Sequence, residues 1–179
     1  MNTPNKLTLL RVIMVPIFMW AFLSEVYIAA IVLFIAAALT DQLDGHLARK
    51  NNQVTTFGKL MDPIADKILT IAALICFVDK NLDFVNAWVV MIVIARELIV
   101  TGIRLIALGE NEVIAASAWG KAKTVSQMAA IIAVMLDVIV PLRIGGFSLT
   151  FWLILVMVVL TIYSGIDYVV KNRRLITFK

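Results

Sequence analysis

Apolar residues along the chain gather into six stretches, at roughly 8–24, 26–48, 58–79, 84–108, 117–140 and 146–170, with short polar or charged connections between them. Each is near the ~20 residues that a helix, rising 1.5 Å per residue, needs to cross a hydrocarbon core. Helices are the expected elements. In lipid, each segment must satisfy its own backbone hydrogen bonds, and an irregular chain leaves them open. Only the last stretch holds a long uncharged run, from Ile144 to Ile166. Several others carry charges at one end, as helices do when they extend beyond lipid into a polar site. Pro16 and Pro63 fall inside stretches one and three, where each is expected to kink or interrupt a helix. Gly45 and Gly58 permit close approach of a backbone or a ligand. The chain shows no internal repeat and no low-complexity segment.

Composition strengthens this picture. Of 179 residues, 62% are hydrophobic, and the mean hydropathy is +0.98. Soluble domains sit nearer ~45–50% apolar. The excess leaves no room for a separate soluble domain, so residues 1–179 are expected to form a single integral membrane domain. The first stretch runs apolar from Val12 to Leu23 and is followed by Ser24-Glu25, with no small-x-small cleavage pattern. It reads as a retained first span, with a removed signal peptide as the alternative. Cys76 is the single cysteine, so no disulfide framework exists, and its apolar context suits a small buried hydrophobe.

The net charge of +4 says more through its distribution than its size. No basic stripe with interleaved aromatics tracks a phosphate backbone, so a nucleic-acid partner is not expected. Lys6 and Arg11 lie at the N-terminus, and Arg49, Lys50 and Lys59 join stretches two and three. Lys121 and Lys123 follow stretch four, and Lys171, Arg173, Arg174 and Lys179 end the chain. The opposite connections carry Glu25, then Asp79, Lys80 and Asp83, then Asp137 and Arg143. By the positive-inside rule both termini are expected on the cytoplasmic side. Trp20, Trp88, Trp119 and Trp152 fit packing or interfacial anchoring, and most methionines fit packing within apolar spans.

Four acids stand out against this background. Asp41 and Asp44 are three apart, Asp62 and Asp66 four apart, and all four border the cytoplasmic connection between stretches two and three. On a helix both spacings put two carboxylates on one face. Carboxylates close to a bilayer are costly and persist where they bind something or move a proton. Two such pairs on adjacent helices suit a two-metal site for hard divalent ions, which can neutralise a diphosphate and stabilise a leaving phosphate. One carboxylate can also accept a nucleophile's proton. A single Cys and a single His exclude a structural zinc site. His46, beside the acids, has no orienting partner in the spacing and reads as a side chain lining the site or its rim.

A second polar set, Arg96, Glu97 and Arg104 in stretch four with Lys121 and Lys123 opening stretch five, also interrupts apolar sequence. Arg96 and Arg104 are eight residues apart, a little over two helical turns, so they share a face. Cations there imply a watery cavity or an anion. The plainer alternative pairs Arg96 with Glu97 and leaves the other cations to the positive-inside pattern. With the acids, these residues describe a cytoplasm-facing polar pocket offering metal ligands and phosphate-binding cations.

The run Asp41-x-x-Asp44-Gly45-x-x-Ala48-Arg49, eight residues, Gly58-x-x-x-Asp62-x-x-x-Asp66 resembles the full signature of the CDP-alcohol phosphatidyltransferases, with all eight positions present. Similarity extends over Pro4 to Arg11, Phe57 to Lys67, Ala95-Arg96-Glu97, Thr101 to Arg104 and Gly120 to Thr124. These segments resemble the bacterial branch of the family whose acceptor is sn-glycerol 3-phosphate. The resemblance implies an all-α fold of six transmembrane helices in the bacterial cytoplasmic membrane, often a homodimer among membrane lipids. It further implies phosphatidyl transfer from CDP-diacylglycerol with Mg2+ or Mn2+, two ions in all. Asp41, Asp44 and Asp62 would hold the metals, and Asp66 would contact the second metal or act as general base. Gly45, Ala48, Arg49 and Gly58 would line the cytidine diphosphate side along with Asp41 and Asp44. Arg96, Arg104, Lys121 and Lys123 would take the phosphate of glycerol 3-phosphate. Alternative acceptors are serine, inositol phosphate and phosphatidylglycerol. A different class, an ion-coupled transporter, predicts acids nearer the midplane and internal pseudo-symmetry.

Overall fold

The computed structural model describes the backbone of residues 3–50, 56–82, 84–110, 112, 114–115, 117–141, 143–144 and 147–176, and the side chains of these except 3–8, 41–50, 56–66, 144, 147 and 176. Six long helices follow one another: α1 (Thr3–Leu23), α2 (Tyr27–Lys50), α3 (Thr56–Asp79), α4 (Ala87–Gly109), α5 (Ala118–Asp137) and α6 (Leu149–Lys171). A short α7 (Arg173–Ile176) follows α6. Between α5 and α6, β1 (Arg143–Ile144) pairs antiparallel with β2 (Phe147–Ser148), with Arg143 opposite Ser148 and Ile144 opposite Phe147.

Each apolar stretch became one helix, and the bounds moved by only a few residues. The largest extension is at the start, where α1 takes in polar residues from Thr3 onward. Pro4 falls in its first turn, where a missing N–H costs nothing. Helix runs through Pro16 in α1 and through Pro63 in α3, so neither proline ends its helix. Side-chain caps close the starts of the later helices. Asn86 accepts from the Val89 N–H at 3.1 Å, Ser117 from Gly120 at 3.1 Å, and Ser148 from Thr150 at 3.1 Å. The β-ladder and α7 were not visible in the hydropathy pattern because both are too short to carry a period.

The chain divides into two compact units, residues 1–80 and 81–179. In the first, α1 packs on both α2 and α3, and α2 packs on α3. Buried positions recur at helical spacing: Arg11, Val15, Phe18 and Phe22 on α1; Ala30, Phe34 and Ala37 on α2; Leu69, Ala73, Cys76 and Phe77 on α3. Fully buried alanines let the helix backbones approach and make room for the rings beside them. Phe22 is the hub. Its centroid lies 6.1 Å from Phe18, 5.3 Å from Phe77 and 5.4 Å from Tyr27. Such tilted and edge contacts add ~0.5–1.5 kcal/mol each beyond burial. Cys76 is buried and free, as its context indicated.

The α1–α2 turn closes with the Val26 N–H on the Ala21 carbonyl (2.9 Å) and the Glu25 N–H on Phe22 (3.0 Å), a Schellman pattern with Glu25 at φ 65°. Glycine usually fills that left-handed position, and Glu25 instead brings a carboxylate that accepts from Lys80 Nζ at 2.8 Å. The hydrogen bond and charge of Lys80 hold the Glu25 carboxyl below its ordinary range. The pair joins the α1–α2 turn to the end of α3.

In the second unit, α6 packs on α4 and α5. Its buried positions, Thr150, Ile154, Met157, Thr161, Ser164 and Tyr168, alternate three and four apart down one stripe. The outer faces are strongly apolar. Trp88 is 79% exposed, Ile28 71% and Val125 70%. In water such a surface would associate; against lipid it is matched. Among the described residues α6 is the helix long and apolar enough to cross a membrane, and Leu9–Leu23 and Tyr27–Thr40 form shorter apolar helical stretches. α4 is equally long, but its sequence carries Arg96, Glu97 and Arg104.

Candidate active site

Backbone placement arranges the acids. Asp41 and Asp44 belong to α2, Asp62 and Asp66 to α3, and both pairs keep the helical spacing that the sequence suggested. Asp44 lies six residues before Lys50, the end of α2, and Asp62 lies six residues after Thr56, the start of α3. At 1.5 Å per residue each is ~9 Å from its helix end. Asp41 and Asp66 lie nine and ten residues from those same ends, or ~14–15 Å. Two successive helices thus each carry two carboxylates about one turn apart. That donor set is all hard oxygen, which fits magnesium or manganese. The side chains of the four aspartates, and those of Ala48 and Arg49, lie outside the described residues, as do the surroundings of Gly45 and Gly58. Among the described residues no group of three or more His, Cys, Asp or Glu could hold a metal ion. In the same unit Arg11, which the charge pattern had placed simply at the basic N-terminus, is 1% exposed on α1.

Arg96, Arg104, Lys121 and Lys123 lie among the described side chains of the second unit, and Arg96 and Lys123 are joined in a network. Arg96 Nε donates to Ser164 Oγ at 3.2 Å, and Arg96 Nη1 to Glu97 Oε1 at 3.3 Å. Ser164 can accept because its own hydroxyl proton goes to the Thr161 carbonyl at 3.2 Å. Lys123 Nζ donates to the same Glu97 Oε1 and to Gln127 Oε1, one turn further along α5. Lys123 is 1% exposed, and its ammonium is satisfied inside the helix packing. Arg104 Nε donates to the Tyr168 hydroxyl at 3.3 Å, and its guanidinium sits 5.7 Å from the Tyr168 ring centroid. Lys121 is exposed at the start of α5.

Arg96 and Arg104 do share a face, since both reach α6. Their partners Ser164 and Tyr168 ascend α6 as the arginines ascend α4, so the two helices run the same way. The pairing of Arg96 with Glu97, considered from sequence as the plainer account, is present. Ser164, Gln127 and Tyr168 were missed by sequence reasoning. Their signal lay in the buried stripes: Gln127 is a polar position on a mostly apolar stripe of α5, and Ser164 and Tyr168 follow Thr161 in a polar run along the stripe of α6.

Two glycines make room for Arg96. A Cβ built on Gly165 would come within 3.1 Å of Arg96 Cγ, and one on Gly120 would lie 3.3 Å from Ser117 Oγ and 3.6 Å from Arg96 Nη2. The arginine stem therefore crosses the α6 backbone at a position where only hydrogen fits well. The same stem lines an apolar groove of about 370 Å³ between α4 and α6, walled by Ile92, Ile99, Ile162 and Ile166. A paired test follows. Gly165→Ala should cost ~1–3 kcal/mol through overpacking against Arg96. Gly102→Ala, with nothing within 4 Å of its new methyl, should gain ~0.5–1 kcal/mol of helix propensity. Thermal denaturation in detergent reads both, and equal effects at the two sites would contradict the cradle.

The sequence model of the CDP-alcohol phosphatidyltransferase family matches residues 1–163. The chain belongs to that family. Its match covers all four aspartates and the Arg96–Glu97–Lys123 network, and it reaches into α6. A CDP-diacylglycerol–glycerol-3-phosphate 3-phosphatidyltransferase of Bacillus subtilis (strain 168) is 41% identical over 96% of this chain and 95% of its own length. Proteins of the same name from Haemophilus influenzae and Escherichia coli K12 are 39% and 36% identical, over 93% and 96% of this chain and 91% and 95% of theirs. The family resemblance first carried by the acid signature thus holds along nearly the whole sequence.

Proposed function

We propose that this protein transfers the phosphatidyl group of CDP-diacylglycerol to sn-glycerol 3-phosphate, releasing CMP and forming phosphatidylglycerol phosphate. The observation that carries this reading is a pair of aspartates at helical spacing on each of α2 and α3, in a chain up to 41% identical to proteins bearing that activity's name. Six helices span the cytoplasmic membrane with both termini on the cytoplasmic side, in a homodimer, and the active-site cavity opens to the cytoplasm. The apolar exteriors and the alternation of basic connections support that topology.

Asp41, Asp44 and Asp62 would hold two magnesium or manganese ions, leaving Asp66 to act as the base. Bound there, the ions supply charge neutralisation for the diphosphate and for the departing phosphate. Gly45, Ala48, Arg49 and Gly58 line the cytidine diphosphate side. Arg96, Arg104, Lys121 and Lys123 supply positive potential for the phosphate of the acceptor. Asp66 takes the proton of the acceptor's 1-hydroxyl as that oxygen bonds to the lipid-linked phosphorus. The phosphorus–oxygen bond to CMP breaks, and CMP leaves with the electron pair. Little covalent chemistry falls to the protein, so positioning and electrostatics dominate the rate.

The phosphorylated acceptor is favoured over serine because Arg96, Arg104, Lys121 and Lys123 outnumber the one acid among them, Glu97, and that excess of positive charge suits an anion. Purified protein supplied with CDP-diacylglycerol and Mg2+ should release CMP only when glycerol 3-phosphate is added. Release that ignores the acceptor, or ion movement without any CMP, would overturn the assignment.

A further inference from the structure

Glu97 was met in the sequence only as a possible mate for Arg96, and its geometry gives it a larger part. One oxygen, Oε1, accepts from both Arg96 Nη1 and Lys123 Nζ, so a single carboxylate bridges α4 to α5 and couples two cations. The bridge is well enclosed. The Glu97 side chain is 12% exposed, Arg96 11% and Lys123 1%. Each cation has a second anchor: Ser164 of α6 for Arg96, and Gln127 on the same α5 for Lys123. Gly165 and Gly120 leave the path of Arg96 clear. The guanidinium is therefore held from α4 and α6, and Glu97 is the carboxylate that both cations share. Two cations on one carboxylate leave that trio formally positive. In a low-dielectric surround an arriving phosphate gains most if those cations are already aligned.

We infer that Glu97 is a positioning residue for acceptor binding: it holds Arg96 and Lys123 in register for the phosphate of glycerol 3-phosphate without touching the substrate. The inference rests on the function proposed above. It deepens that reading by separating the residues that meet the anion from the carboxylate that aims them.

The test measures KM for each substrate and kcat in four forms: wild type, Glu97→Gln, Lys123→Met and the double variant. Glu97→Gln keeps the volume but removes the charge, and KM for glycerol 3-phosphate should rise about tenfold, the equivalent of ~1.4 kcal/mol. KM for CDP-diacylglycerol and kcat should stay within about twofold. The double variant removes the Glu97–Lys123 pair together and leaves Arg96 anchored by Ser164. If Glu97 also aims Arg96, the double variant has a higher KM for glycerol 3-phosphate than Lys123→Met alone. A merely structural ion pair predicts a general loss of stability and kcat in each single variant, recovered in the double; that result overturns the inference. So does an unchanged KM for glycerol 3-phosphate in Glu97→Gln. If wild-type protein releases no CMP with glycerol 3-phosphate, the functional assignment fails and takes the inference with it.

Discussion

Asp66→Asn is expected to lower turnover by ~10³-fold while leaving the helices intact. The size follows from the role. A positioned general base contributes ~10²–10⁴-fold, and asparagine keeps the shape of the side chain while removing its ability to take a proton. Saturating Mg2+ distinguishes base from ligand. A lost metal ligand is compensated in part by more metal, whereas a lost base is not. The variant should therefore remain slow at every metal concentration, with KM for both substrates near wild type. Near-normal turnover, with lipid and metal supplied, would remove Asp66 from the proton transfer and return it to the ligand set beside Asp41, Asp44 and Asp62.

Removal of divalent ions is expected to have a comparable effect. Chelation should reduce CMP release at least ~10²-fold, and added Mg2+ or Mn2+ should restore it, because charge stabilisation by bound metal contributes several kcal/mol in reactions of this type. The donor chemistry makes the prediction: carboxylates at helical spacing on α2 and α3, in a chain with one cysteine and one histidine. CMP release that persists in full under chelation would contradict a carboxylate-held metal centre.

Much of this fold could be read directly from the chain. Hydropathy alone located all six long helices, since an apolar run of about twenty residues has few structures open to it. Its bounds fell short where polar residues continued a helix, as at Thr3 to Leu7 of α1 and Arg49 to Lys50 of α2, and overran the starts of α4 and α6 and the end of α5. The hairpin at Arg143–Ser148 and the turn of α7 escaped because two to four residues carry no periodicity. The acid site was legible for a different reason. Its information lies in charge at helical spacing, which survives in a one-dimensional reading, and the family signature rests on the same residues. The cation network was only half legible. Arg96, Arg104, Lys121 and Lys123 announced themselves as charges in apolar sequence, but their partners did not. Ser164, Gln127 and Tyr168 are ordinary residues until three helices bring them to a guanidinium or an ammonium. Nor could spacing show that Lys123 is enclosed while Lys121, two residues earlier, faces outward. That difference is a rotation of ~200° around α5.

The direct test of the central claim uses purified protein in lipid vesicles containing CDP-diacylglycerol and Mg2+. Radiolabelled glycerol 3-phosphate, serine and inositol phosphate are offered separately, and label entering the lipid phase is counted against CMP released. Label from glycerol 3-phosphate should enter the lipid one for one with CMP, and the other two acceptors should give background. Equal or greater incorporation from serine or inositol phosphate would contradict the account.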